Sequence, residues 1–264
     1  MSVRAAILTV LLCLAGSRLF SADDALQTLH GRCSIAPSTQ PGHVQYDITG
    51  DCDDTTGHCD NHDHNSDAPL TTFTGLAIAD LEREGAHLDA QIVAEAGTIS
   101  CSGQVHSLTL SGDFTFTPNP AFIDHMARLG FTGFTSAKLE TYTLFHIETA
   151  WVQQLQAAGV TGMDSGNLIA LRIFKITPDF VRAMASLGYP NLPAEKLIAF
   201  GVQGVNADEV RQYRSLGYNP TPDQLIQMRI FKVTPDFIHR MQARGFSNLT
   251  IAKLVQIRIF NLAD

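Results

Sequence analysis

Beyond Pro118 the apolar positions of the chain return every 29 residues. Gly130, Gly159, Gly188, Gly217 and Gly245 follow one another at 29, 29, 29 and 28 residues, the period of a repeat array. Phe122, Trp151, Phe180, Glu209 and Phe237 stand eight residues before each glycine, and Met126, Leu155, Met184, Tyr213 and Met241 stand four before. A four-residue step marks one face of a helix, and the glycine marks its stop. Asn119-Pro120, Thr177-Pro178 and Thr234-Pro235 put a capping side chain before a proline at the first helical position, where the missing N–H costs nothing. A second helix follows in each unit. Leu139, Leu168, Leu197, Leu225 and Leu254 recur at 29, 29, 28 and 29, and Tyr142, Leu171, Phe200, Met228 and Ile257 follow three residues on. Residues 118–264 therefore read as an all-α solenoid of five helical hairpins, about 50 Å long at ~10 Å per stacked layer.

Residues 23–117 carry a different pattern. His43–Thr49, His87–Val93, Thr98–Ser102 and Val105–Thr117 are rich in β-formers with patches of alternation, bounded by turn residues. They predict a small β-domain, and the fold class is α+β. Before it, Arg4 precedes an apolar run from Ala5 to Gly16, the size of a signal-peptide core and short for a membrane span. Residues 1–22 are read as a cleaved signal peptide and the product as exported, periplasmic or secreted, without stable membrane insertion after cleavage. An oxidising compartment then favours disulfides among Cys33, Cys52, Cys59 and Cys101. Three pairings are open; the short Cys52 to Cys59 spacing favours that local bond, with Cys33 to Cys101 as the second.

Composition sharpens this division. The chain has 45% hydrophobic and 17% charged residues in 264, enough apolar material for a true core. Its formal charge of −8 argues against a nucleic-acid partner. The charge is divided, at −13 for residues 23–117 and +3 for 118–264. Within the acidic part, Asp51 to Asp67 interleaves aspartates with His58, His62 and His64, nitrogen ligands suited to a divalent transition metal. Asp63-x-Asn65-x-Asp67 also begins like a calcium loop, although Ala68 and Thr74 replace its glycine and glutamate. The competing reading is a solvated acidic loop. In the repeats, Arg172, Arg229 and Arg258 share one position and Lys175 and Lys232 another, so stacking predicts partial basic stripes able to meet an acidic partner. Thr143 and Gly201 interrupt the first stripe.

The string Ser111-Gly-Asp-Phe-Thr-Phe-Thr-Pro-Asn-Pro-Ala-Phe122, with Glu95-Ala-Gly-Thr-Ile-Ser-Cys101 before it and the Thr-Pro-Asp-Phe…Gly-Tyr/Phe…Leu-Ile…Arg-Ile-Phe units after it, resembles a bacterial family in which a short β-region leads into tandem helical hairpins. It is similar to the extracytoplasmic C-terminal region of some antibiotic-sensor type membrane metallopeptidases, over about residues 75 to 264. The peptidase part has no counterpart: no His-Glu-x-x-His occurs, so the resemblance transfers no catalytic residue. Glu148, Gln203 and Glu209 depart from the repeat pattern and predict imperfect stacking there.

No Gly-x-Ser-x-Gly elbow or phosphate-binding glycine loop is present. The expected function is an exported, non-enzymatic interaction module that binds an envelope protein or peptide through the repeat surface. A metal-binding or metal-sensing protein built on the histidines is the alternative, and a cell-envelope hydrolase a further one. Leu254, Ile257 and Phe260 in the last unit suggest an uncovered apolar face through which copies could self-associate.

Overall fold

The computed structural model describes residues 26–50, 52–53, 58–59, 64–246 and 248–260. The signal-peptide reading lies outside these residues. So do His62 and the side chains of Cys52, His58 and Cys59.

Among the described residues the strands are β1 (Leu29–Pro37), β2 (His43–Gly50), β3 (Cys52–Asp53), β4 (His58–Cys59), β5 (His64–Pro69), β6 (His87–Ala94), β7 (Gly97–His106) and β8 (Thr109–Pro118). Six of them form one antiparallel sheet in the order β5-β2-β1-β8-β7-β6, and β3 pairs β4 with Cys52 opposite Cys59 in the backbone register. Inward residues alternate along each strand, as Cys33 and Ile35, Ala90 and Ile92, or Phe114 and Phe116 do. The sheet is curled. Gly103 and Gly112 face each other across β7 and β8, and a Cβ on Gly112 would lie 2.0 Å from the Ser102 carbonyl. Glycine at both places lets the backbone bend sharply. The curl brings β1 and β7 together over the intervening β8, where Cys33 and Cys101 form a buried disulfide with Cα atoms 5.9 Å apart.

Two strands go beyond the sequence reading. β1 lies outside the predicted stretches, and β5 lies inside the acidic stretch, where His-Asn-Ser-Asp-Ala-Pro contains no β-former. Pairing with β2 supplies what propensity does not. Being extended, β5 places Asn65 and Asp67 in a ladder rather than a calcium loop, and Asn65 donates to Asp47. The stretch read as continuous from Val105 to Thr117 is split by a tight hairpin at Ser107 and Leu108, both with positive φ. Glu84 steadies that turn by accepting from Ser107 N–H.

Among the described residues ten α-helices follow: α1 (Pro120–Arg128), α2 (Ser136–Leu144), α3 (Thr149–Ala157), α4 (Asn167–Ile173), α5 (Pro178–Ser186), α6 (Ala194–Gln203), α7 (Ala207–Ser215), α8 (Pro222–Ile230), α9 (Pro235–Ala243) and α10 (Ile251–Ile259). The expected caps are made: Asn119 accepts from Ala121 N–H, Thr177 from Phe180 N–H and Thr234 from Phe237 N–H. The odd-numbered helices pack in succession from α1 to α9, and the even-numbered ones from α4 to α10. Leu139, Leu168, Leu197, Leu225 and Leu254 are all buried between them. Helix α2 instead lies on β6, β7 and β8, so one continuous core runs from the sheet into the repeats. Glu95, at the β6–β7 turn, reinforces the junction by accepting from the backbone N–H and hydroxyl of Thr149 at the start of α3.

Candidate functional site

The last turns of α4, α6, α8 and α10 each turn one aliphatic side chain outward. Ile173, Val202, Ile230 and Ile259 are 46%, 52%, 50% and 49% exposed, and they follow one another at 29, 28 and 29 residues. Each lies five residues after its buried leucine, and five residues of α-helix rotate about 140° around the axis. The position thus faces away from the core by construction. Because α4, α6, α8 and α10 pack side by side, these residues form an apolar row with steps of about 8–10 Å. Leu144 holds the same slot in α2 and is partly buried.

Beside the row, the chain leaves α2, α4, α6 and α8 through a left-handed residue: His146 (φ 48°), Lys175 (φ 55°), Gly204 (φ 67°) and Lys232 (φ 53°). Ile147, Ile176, Val205 and Val233 follow, buried, and return their N–H groups to the last turn, as Val233 does to the Met228 carbonyl at 2.8 Å. A non-glycine residue here costs about 1 kcal/mol. In return it places the exposed amines of Lys175 and Lys232 at helix C-termini, where positive charge is favoured.

A hollow opens beside two of these ends, between α2 and the next unit and between α4 and the next. The larger, about 540 Å³, is lined by Phe145, His146, Trp151, Arg172, Ile173 and Lys175 among others. A second, about 260 Å³, is lined by Phe174, Lys175, Phe180, Gly201 and Val205 with their neighbours. Adding 29 to Phe145, His146, Trp151 and Arg172 gives Phe174, Lys175, Phe180 and Gly201, so the second hollow is the first one moved along by one unit.

The arginine stripe is turned inward on the array. Arg172 Nε donates to the Phe145 carbonyl and Arg229 Nε to the Gln203 carbonyl, both at 2.9 Å, while Arg258 reaches the Lys232 carbonyl with Nε and Nη2. These carbonyls belong to the C-terminal end of the preceding even helix, where acceptors lack helical partners. Arg172 also lies over Trp151 at 5.3 Å and Arg258 over Phe237 at 4.3 Å. The arginines therefore bind unit to unit, and Lys175 and Lys232 are the stripe members left facing solvent. In the last unit Leu254 and Ile257 are buried, whereas Phe246 and Phe260 are exposed.

Of the candidate metal ligands, His64 is described and opens β5. Its cross-strand partner is buried Ile48, so its ring shares the inner face. There Nε2 stands 3.9 Å from Oε1 of Glu140, a fully buried residue of α2 neither of whose carboxylate oxygens accepts a hydrogen bond among the described residues. Burial pushes the Glu140 carboxyl up to about 7. Tyr46, on the same face, is raised as well, chiefly by burial and in part by the Glu140 charge. Nothing in the sequence signals this pair, because Glu140 sits on a helix where a glutamate ordinarily reads as solvated. Elsewhere, no three His, Cys, Asp or Glu side chains gather among the described residues in a way that suits a metal ion, and no helix among them is long and apolar enough to cross a membrane. No family model, curated protein or solved structure matches the chain.

Proposed function

We propose that this is an exported, non-enzymatic interaction protein in which residues 118–264 form a solenoid of five helical hairpins and bind an envelope protein or peptide along the even-helix ends. One observation carries the reading: four aliphatic side chains, each about half exposed, stand at one repeat position in successive units. Covering each contributes about 1 kcal/mol, and a periodic row extends that gain along a whole surface. The Cys33–Cys101 disulfide supports export, since such bonds persist in oxidising compartments, as does the apolar run after Arg4.

The test is crosslinking capture in the producing cell with the full chain and with an Ile173→Asp/Ile230→Asp variant. A partner recovered with the parent and lost with the variant, whose circular dichroism is unchanged, is the expected result. The same partners recovered with both proteins would overturn the reading. A repeat-deleted chain that retains the partner would move the interface to the sheet.

A further inference from the structure

We propose that the two hollows, one unit apart, take the side chains of an extended, acidic peptide segment, one apolar residue in every three. This rests on the interaction reading above and adds the chemistry of the occupant. The two hollows are the same construction one unit apart, lined by Phe145, Trp151 and Arg172 in the first and by Phe174, Phe180 and Gly201 in the second. Lys175 borders both, and among the described residues neither lining contains a carboxylate. An apolar floor on either side of the shared, solvent-facing Lys175 amine selects apolar side chains with a negative charge between them.

Spacing selects the backbone. Packed helices lie about 8–10 Å apart. An extended or polyproline-type chain rises about 3.1–3.3 Å per residue, so three residues span one step of the array. Two residues fall short and four overshoot. Stacked units also rotate slightly from one to the next; a flexible extended segment follows that rotation, whereas a straight helix leaves it.

The chain contains one tryptophan, Trp151, and it lines the larger hollow, so its fluorescence reports occupancy directly. The full chain is titrated with acetyl-(Leu-Pro-Glu)4-amide and with three controls: the same composition with the leucines permuted out of period, the Leu-Pro-Lys counterpart, and a helical peptide with leucine at every seventh position. A saturable change with at least tenfold tighter binding than any control is expected, and Lys175→Glu should weaken it by a similar factor. Equal affinity for the permuted peptide, tighter binding of the helical one, or no saturable change up to millimolar peptide would overturn the proposal. If cellular capture still depends on Ile173 and Ile230 while the peptide series fails, only the occupant is wrong. If capture fails as well, the interaction reading falls with it.

Discussion

Arg229 donates through Nη1 to both carboxylate oxygens of Glu209, at 3.2 and 3.1 Å, across 20 residues of chain. Glu209 is the one polar residue in a series of aromatic anchors, and it reads as a fault in the repeat. In the other units that carry the arginine, Trp151 lies under Arg172 and Phe237 under Arg258. A carboxylate thus replaces a π-face as partner of the same guanidinium. Tyr213 completes the substitution, its one hydroxyl proton shared between Glu209 at 3.0 Å and the Val233 carbonyl at 2.8 Å. The array continues undisturbed, with α7 packed between α5 and α9.

Glu209→Ala should therefore cost about 2–3 kcal/mol, since it strands a half-buried guanidinium; the figure is discounted because the Arg229 side chain is 33% exposed. Glu209→Phe should cost under about 1 kcal/mol, because it restores the aromatic platform. Urea unfolding of both variants checks the order. Equal losses would show that the acidic partner is specific to this unit.

Glu140 predicts a pH dependence. Its folded carboxyl titrates about 7 against an ordinary value of 4.5, so the folded chain holds the proton where the unfolded chain has released it. Stability is full below about pH 4.5, falls as pH rises through the window, and levels off above 7, for a total of about 3 kcal/mol. Glu140→Gln should abolish most of that decline and be more stable than the parent at pH 8. Denaturant midpoints at pH 5 and pH 8 would read it, and identical pH profiles for the two proteins would refute it.

The disulfide closes a 68-residue separation between β1 and β7. Cys33→Ala/Cys101→Ala should lower stability by about 4 kcal/mol, the chain-entropy value for a loop of that length. Thermal unfolding of parent and variant with and without reductant tests this, and the variant should be insensitive to reductant at these positions.

Lys232 occupies a left-handed conformation that glycine adopts without strain. Lys232→Gly should stabilise the fold by about 0.5–1 kcal/mol. It should also weaken partner capture by removing the exposed amine beside Ile230. A gain in stability with undiminished capture would assign Lys232 to helix termination alone.

Gly201 carries the opposite constraint. A Cβ there would lie 2.6 Å from that of Phe174 and 3.1 Å from its carbonyl. Gly201→Arg, which would complete the arginine stripe, should destabilise by more than about 2 kcal/mol, measurable by the same unfolding experiment.

The amino-acid pattern alone determined what is written in short-range terms. The helices, their Asn and Thr caps and the glycine stops are each encoded within a few residues, and repetition restates that code in every unit, so a single exception such as Glu209 could not hide it. The even-helix stops were less visible because His146, Lys175 and Lys232 adopt a glycine-like conformation without being glycine. Tertiary structure decided the rest. β5 exists because β2 pairs with it, and Ser107 and Leu108 turn because β7 and β8 meet on either side. Arginines that form a stripe in sequence bind carbonyls 26 or 27 residues away, and Glu140 meets His64 only because the sheet curls over α2. The physical reason is the same throughout: helix signals act through neighbours one to four residues apart, whereas strand pairing, charge burial and the choice between a solvated and a committed side chain depend on groups that only the fold brings together.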